Sequence, residues 1–372
     1  MRIGIIGDTH LGCTDYSRKR RADFSTAFCN AIKICTDRNV DAICLLGDVF
    51  DSAATRRNVD AFAEILKEIS PSLSSLKTAK LPLIAIPGNH EFGRGREAGE
   101  LTILESLGFV QVLRCTAFQL GSVRICGIPW QHDPTEVPKI VDHFRKTICS
   151  GPQILLMHNF IKGARAIPPE LGEIDPGCCT DFARTFVGHH HIYETVDRCV
   201  IPGSTETQNM RDQSKKYVVI YDCEKDYIEK CELPKTHHVV VLDYDITQLP
   251  VPELLSAIMR DLDSNDGLAG AFVYVRIHGI ARAKHGLSKT DILSFLRERD
   301  LFDYYIDLRH STEAKTATES RRGASIEQVL RRSFHGNDLA KARRYLAYSE
   351  SERLFADIRE DILSDHQRAK TR

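Results

Sequence analysis

Val187-Gly188-His189-His190-His191 is the stretch that decides how the rest of this chain reads. Alone it is weak, because His-rich tripeptides occur by chance. Four other stretches give it weight: Gly7-Asp8-Thr9-His10, Gly47-Asp48, Gly88-Asn89-His90-Glu91 and Met157-His158. All five follow short apolar runs, at residues 2–6, 42–46, 83–86, 153–157 and 185–187. Such runs read as buried strands of an α/β sheet. Open α/β sheets bind ligands at the carboxyl ends of their strands. Five polar groups at five strand ends therefore converge on one rim.

The number of donors points to two metal ions. Asp8, His10, Asp48, Asn89, His158, His189 and His191 make seven groups, more than one ion can use. Two ions sharing a bridging carboxylate can use them all, with water completing each shell. Asp48 is the best bridge, since a carboxylate has two oxygens and an imidazole one free nitrogen. His189 and His191 fit a strand end or tight turn that points alternate residues the same way, with His190 pointing elsewhere. Any one stretch is reasonable as ordinary polar turn residues; all five in this order are not.

Asp-x-His, Gly-Asp, Gly-Asn-His-Glu, a lone His and Gly-His-x-His, in this order, resemble the calcineurin-like metallophosphoesterases. More narrowly, Gly7-Asp8-Thr9-His10-Leu11-Gly12 and Gly47-Asp48-Val49-Phe50-Asp51 resemble the SbcD nucleases, bacterial relatives of the meiotic-recombination-eleven DNA repair nucleases. Pro202-Gly203-Ser204-Thr205-Glu206 is similar to the same subfamily. The motifs cover residues 1–235; beyond that the likeness is one of layout. The resemblance implies an α/β fold, a two-sheet sandwich flanked by helices. It also implies a small α/β capping domain that helps hold DNA, and a helical C-terminal tail.

Composition sets the outer limits. A chain of 372 residues holds more than one domain, or one large domain with additions. Its 42% hydrophobic content suits a globular chain with a large core. The longest apolar runs fall short of a membrane span, so no membrane association is expected. Met1 leads straight into the first strand, which leaves no room for a signal or transit peptide. Twelve scattered cysteines without a Cys-x-x-Cys pair favour reduced thiols in a cytosol. Cys178-Cys179 reads as an ordinary loop pair. A net charge of −1 confines any nucleic-acid contact to local patches.

Residues 2–158 alternate apolar runs with helical spacings. Phe24, Ala27, Phe28, Ala31, Ile34 and Cys35 mark one helix; Val59, Phe62, Leu66 and Ile69 mark another. From residue 185 the pattern turns to strands at 193–196, 217–221 and 228–233, which suggests a second sheet behind the first. The chain then leaves the core near residue 235. Strands at 239–244, 271–277 and 304–308 alternate with helices at 252–262 and 288–299. This makes residues 236–310 a separate small domain, either DNA-capping or purely structural or dimerising. Residues 311–324 read as a linker. Residues 325–372 read as helices with apolar stripes that need a partner. By resemblance that partner is the coiled coil of an SMC-like ATPase, called SbcC in bacteria; folding back on its own domain is the alternative.

Basic residues cluster just past the strand ends: Arg18, Lys19, Arg20 and Arg21, then Arg56 and Arg57, then Arg94 and Arg96. The first two clusters precede or open helices, where the dipole disfavours positive charge. Placed beside a phosphate-handling site, they read as DNA contacts, most clearly at residues 18–21. Solvated surface charge is the ordinary meaning of such runs. Tyr16 offers a ring to a base or sugar, or simply packs at the surface.

Two ions on these ligands would neutralise a phosphodiester and supply a water reactive near neutral pH. The leaving oxygen needs a proton, and His90, beside the ligand Asn89 but facing differently, is the best donor. Archaeal and eukaryotic relatives carry His where this chain, like the bacterial members, carries Asp51; Asp51 is placed to orient His90. The resemblance favours manganese, and the ligand types alone also allow iron or zinc. The reading is an exonuclease and endonuclease acting on double-strand ends and hairpins in DNA repair. It would work in a prokaryotic cytoplasm, nucleoid-associated, with a homodimer possible. A phosphoesterase for small phosphodiesters or phosphoproteins, and a non-catalytic DNA-tethering scaffold, are the other two readings.

Overall fold

The computed structural model describes residues 1–51, 59–92, 99–147, 151–164, 174–210, 212–247, 251–281 and 288–312. Arg56, Arg57, Arg94, Arg96, the linker beyond residue 312 and the tail lie outside them. By its contacts the chain divides into two compact units. One takes Met1–Leu242 with Ile258–Val275 and Thr290–Asp307; the other takes the described residues of Asp243–Ala257, of Arg276–Lys289 and from 308 onward.

Two six-stranded sheets dominate the first unit. In one, β1 (Arg2–Ile6), β2 (Ala42–Leu45), β3 (Leu83–Ala85) and β4 (Gln111–Val112) run parallel, side by side in that order. The other holds β5 (Thr116–Leu120), β6 (Val123–Ile128), β7 (Gln153–His158), β8 (Arg184–Gly188), β9 (Glu194–Val196) and β10 (Cys199–Ile201), in spatial order 5-6-7-8-10-9. Strands β6, β7, β8 and β10 are parallel, with an antiparallel strand at each edge.

Alternation of side chains builds the core. Ala42, Cys44 and Leu46 face the second sheet, where they meet Ile125, Ile154, Leu156 and Phe186. Ile43 and Leu45 face the other way. There they pack on Phe28, Ala31 and Cys35 of α1 (Arg21–Asp37) and on Ile65, Ile69 and Leu73 of α2 (Val59–Thr78). The outer face of the second sheet packs on Val137, Val141 and Phe144 of α5 (Glu136–Arg145). Two short helices, α3 (Asn89–Phe92) and α4 (Gly99–Ser106), lie between in sequence.

The chain path corrects one expectation. Not all strands after residue 185 belong to the second sheet. β11 (Tyr217–Asp222) and β12 (Tyr227–Glu232) return to the first, where β11 pairs antiparallel with β1. The second sheet instead begins at β5. That strand is a half-exposed edge without the apolar signal of a buried one.

A third sheet is built of β13 (Val239–Asp245), β14 (Phe272–Ala281) and β15 (Asp303–Thr312). Helices α6 (Val251–Asp263) and α7 (Lys289–Arg297) intervene in sequence, the strand–helix alternation that the periodicity predicts. Within the first unit, Phe272 and Tyr274 cluster with Met210, and Tyr16, Val239 and Phe302 pack around them.

Candidate metal centre

The two large sheets each contribute one side of the site. Asp8 and His10 follow β1, Asp48 follows β2, and Asn89 lies beyond β3 at the start of α3. From the second sheet, His158 ends β7, and His189 and His191 follow β8. The rim is therefore an edge shared by two sheets, not the edge of one.

Backbone hydrogen bonds hold these loops in register. The N–H groups of Thr9 and His10 donate to the Asp48 carbonyl at 3.2 and 2.9 Å. His10 and Asp48 adopt positive φ, 42° and 46°, a conformation costly outside glycine and held by surrounding structure. A Cβ on Gly88 would meet Asp48 Oδ1 at 2.2 Å, so only glycine lets this loop pass. Glu91, buried, accepts three backbone hydrogen bonds: from Gly88 at 2.7 Å, Asp48 at 2.9 Å and Phe50 at 3.0 Å. One carboxylate thus clamps both loops. Across the rim, the His189 N–H donates to both Asp8 carboxylate oxygens at 2.9 and 3.0 Å.

The donor atoms fall into two main groups. Asp8, His10 and His191 form one; Asp48, His158 and His189 form the other. His10 Nε2 faces His191 Nε2 at 3.2 Å, and His158 Nε2 faces His189 Nδ1 at 3.1 Å. Asn89 Oδ1 lies 2.9 Å from His158 Nε2 and so joins the second group. Asp48 Oδ2 sits between them, 3.4 Å from His158 Nε2 and 3.8 Å from His10 Nε2. A third grouping, His10, Asp48 and His90, overlaps both. His190 turns away, and its Nε2 accepts the Ile161 N–H at 3.3 Å.

The chemistry of this donor set fits divalent cations. Burial pushes Asp8 up to about 7, with the Asp48 charge adding to it and His158 opposing. Burial likewise lifts Glu91 to about 7, again aided by Asp48. The imidazoles split. Burial drives His10 down to about 4 and holds His189 and His191 well below the usual histidine range, leaving neutral rings with lone pairs to offer. Burial also works against a charged His158, but Asp48 and Asp8 outweigh it and lift the group to about 9. Among the described residues, the buried His10 Nδ1 finds no hydrogen-bond partner. Buried carboxylates beside the neutral imidazoles of His10, His189 and His191 make a donor set that bound cations would satisfy, taking over the role that the raised His158 and His90 play for Asp8 and Asp48 here.

His90 borders the group. Its side chain is 34% exposed, and its ring stands edge-on to His10 at 4.7 Å. Its N–H donates to Asp48 Oδ1 at 2.8 Å, and its Nδ1 lies 3.7 Å from Asp51 Oδ1. Burial disfavours its charge, but Asp48 and Asp51 overcome this and raise it to about 10.

Residues 1–163 match the model of the calcineurin-like phosphoesterases. The chain carries a calcineurin-like phosphoesterase domain. Over 360 residues it is 24% identical to the DNA double-strand break repair protein Mre11 of Methanosarcina mazei, covering 92% of this chain and 54% of that protein. Over 282 residues it is 26% identical to the Mre11 of Methanosarcina acetivorans, covering 71% and 44%. Over 92 residues it is 37% identical to the D component of the nuclease SbcCD of Bacillus subtilis, covering 24% and 22%. The chain spans about half the length of the Methanosarcina relatives it matches. The phosphoesterase match takes in Asp8 through His158; His189 and His191 lie beyond it and join the site through the geometry above.

One basic residue of this phosphoesterase domain has to be reassigned. Arg20 does not face a substrate. It is 2% exposed, donates to the Thr207 carbonyl at 2.7 Å, and lies 3.5 Å from both Asp23 and Glu206. Its guanidinium also packs over Phe24 and Phe272. Arg20 is a buried structural cation, and the DNA contact expected of it is withdrawn. Arg21 pairs with Glu64 and Glu68 of α2. Arg18 and Lys19 are exposed, with Lys19 Nζ donating to the Phe302 carbonyl at 2.9 Å. Tyr16 packs edge-on against Tyr274 and Tyr305, at 5.5 and 5.0 Å. Two features escaped the sequence reading. The Glu91 clamp was signalled only by its place in Gly88-Asn89-His90-Glu91. The wall of Trp130 and Phe160, whose rings lie 5.0 and 4.3 Å from His189, carried no local signal. Among the described residues, no helix is long and apolar enough to cross a membrane.

Proposed function

We propose that this protein is a two-metal, manganese-dependent DNA nuclease with exonuclease and endonuclease activity. It would act on double-strand ends and hairpins in break repair or end processing, inside the cell and associated with the nucleoid. An SMC-like ATPase of the SbcC type would bind through residues 325–372. The observation that carries the reading is the position of Asp48 Oδ2, within 4 Å of imidazole nitrogens in both donor groups. Asp8, His10 and His191 would hold one ion, Asn89, His158 and His189 the other, and Asp48 both. Ions so held would supply charge at the nonbridging phosphate oxygens and a water acidified to react near neutral pH.

The chain's own part is positioning and proton transfer. Asp8 ties the two halves together by accepting from the His189 N–H, and Asp48 fixes the His90 loop by accepting from its N–H. As the bond from phosphorus to the leaving oxygen breaks, His90 gives that oxygen a proton. Asp51 orients the imidazole. A DNA strand approaching this site would run past Arg18 and Lys19.

The test compares DNA and a nitrophenyl phosphodiester in manganese, for the wild-type protein and His90→Ser. The nuclease reading expects DNA to be cut and the variant to be impaired more on DNA, because nitrophenolate leaves without protonation. Cleavage of the small diester alone would make this a small-substrate phosphoesterase. Binding of DNA with neither substrate cut would make it a scaffold.

A further inference from the structure

We propose that Trp130 is a stacking platform for the nucleobase adjoining the phosphate at the metal centre; this rests on the nuclease reading. Trp130 is the only tryptophan in the sequence. It stands two residues past the end of β6, and two tethers fix its backbone. Its N–H donates to the Pro87 carbonyl at 2.9 Å, just before Gly88 and Asn89. The next residue, Gln131, is bound in both directions by Asn159, the neighbour of His158, at 3.3 and 3.2 Å. The indole is therefore pinned between the loops that carry Asn89 and His158.

Its ring lies 5.0 Å from His189, tilted by 40°, and 6.2 Å from His158. It is half-buried, unlike the core aromatics Phe144 and Phe186, which are closed off from solvent. Its Nε1–H donates outward, at 3.4 Å, to Nδ1 of the exposed His132. Core filling accounts for neither the exposure nor the outward tip. A phosphate held at the centre brings its sugar and base with it, and a fixed aromatic face beside the ligands gives that base a place to lie. Stacking is indifferent to sequence, as a nuclease that cuts any end requires.

Because the chain has one tryptophan, its emission reports on this ring alone. Manganese-loaded His90→Ser protein, which should hold DNA while cutting it slowly, is titrated with a short single-stranded oligonucleotide, with binding followed independently by anisotropy of a label. Bound oligonucleotide should quench the emission, and an abasic strand of equal length should not. In manganese, Trp130→Leu should raise KM for DNA by roughly 5- to 150-fold, the value of one stacked base, with manganese content unchanged. On a substrate abasic at the scissile nucleotide, wild type and variant should converge, because the stacking has already been removed. Trp130→Phe should recover most of the loss. Bound DNA without quenching, or an equal Leu penalty on intact and abasic DNA, overturns the proposal and leaves the ring as packing on His189. Quenching by DNA that is never cut keeps the platform and removes the nuclease reading. Neither binding nor cutting removes both.

Discussion

Replacing Glu91 with Ala should cost far more than an ordinary polar substitution. The carboxylate is 1% exposed and is the acceptor for the N–H groups of Gly88, Asp48 and Phe50. An unsatisfied buried donor costs about 1 to 3 kcal/mol, so three cost roughly 3 to 9 kcal/mol if the space stays dry. Water entering the vacated volume recovers part of this, leaving about 3 to 5 kcal/mol. A domain stable by about 5 to 15 kcal/mol loses a large share of its margin. Glu91→Gln keeps one acceptor oxygen and should fall between. Urea unfolding of metal-free protein measures the loss as a drop in midpoint at constant slope. The same variants should bind manganese more weakly, since the Asp48 loop loses its anchor. An unchanged midpoint for Glu91→Ala would refute the clamp and show that the three N–H groups find other partners.

The basic stretch divides by burial. Arg18→Ala with Lys19→Ala should flatten the salt dependence of DNA binding by up to about two phosphate contacts and leave stability within about 0.5 kcal/mol. Arg20→Ala should do the reverse: removing one member of the buried pairing with Asp23 and Glu206 should cost about 3 to 5 kcal/mol in urea unfolding, and an unaltered midpoint would return Arg20 to the surface. His90→Ser should lower DNA turnover about 10²- to 10⁴-fold with metal content unchanged; loss of an ion in elemental analysis would make His90 a ligand. Truncation at Ser320 should leave cleavage of short substrates intact and abolish capture of an SMC-like ATPase, and retained capture would place that contact elsewhere.

What the sequence reveals of this fold is local. Four of the five strands before donor groups are short apolar runs followed by Gly-Asp, Gly-Asn or Gly-His, β7 ends directly in His158, and β1, β3 and β7 begin where those runs begin. Asp8, His10, Asp48, His158, His189 and His191 all stand in three-donor groupings because strand ends in a layered fold share a rim. Nothing local says that the rim belongs to two sheets. That depends on β11 pairing with β1 from far along the chain, Arg2 opposite Asp222, and on β5 opening the second sheet as a half-exposed edge. Nor does a run of four basic residues reveal that the third is buried. Arg20 turns inward because a short 3-10 turn at Arg18–Arg20 leads into α1, and Asp23, Glu206 and the Thr207 carbonyl await it inside. Trp130 was illegible for the same reason: its meaning comes from Pro87 and Asn159, which only the fold brings to it.

Manganese binding tests the central claim most directly. Crystals of the wild-type protein soaked in manganese, read by anomalous scattering, should show two ions within about 4 Å of each other, with Asp48 between them. Asp48→Ala crystals treated identically should show neither at full occupancy. A single ion in saturating metal, with Asn89 and His158 left uncoordinated, would contradict the two-metal account.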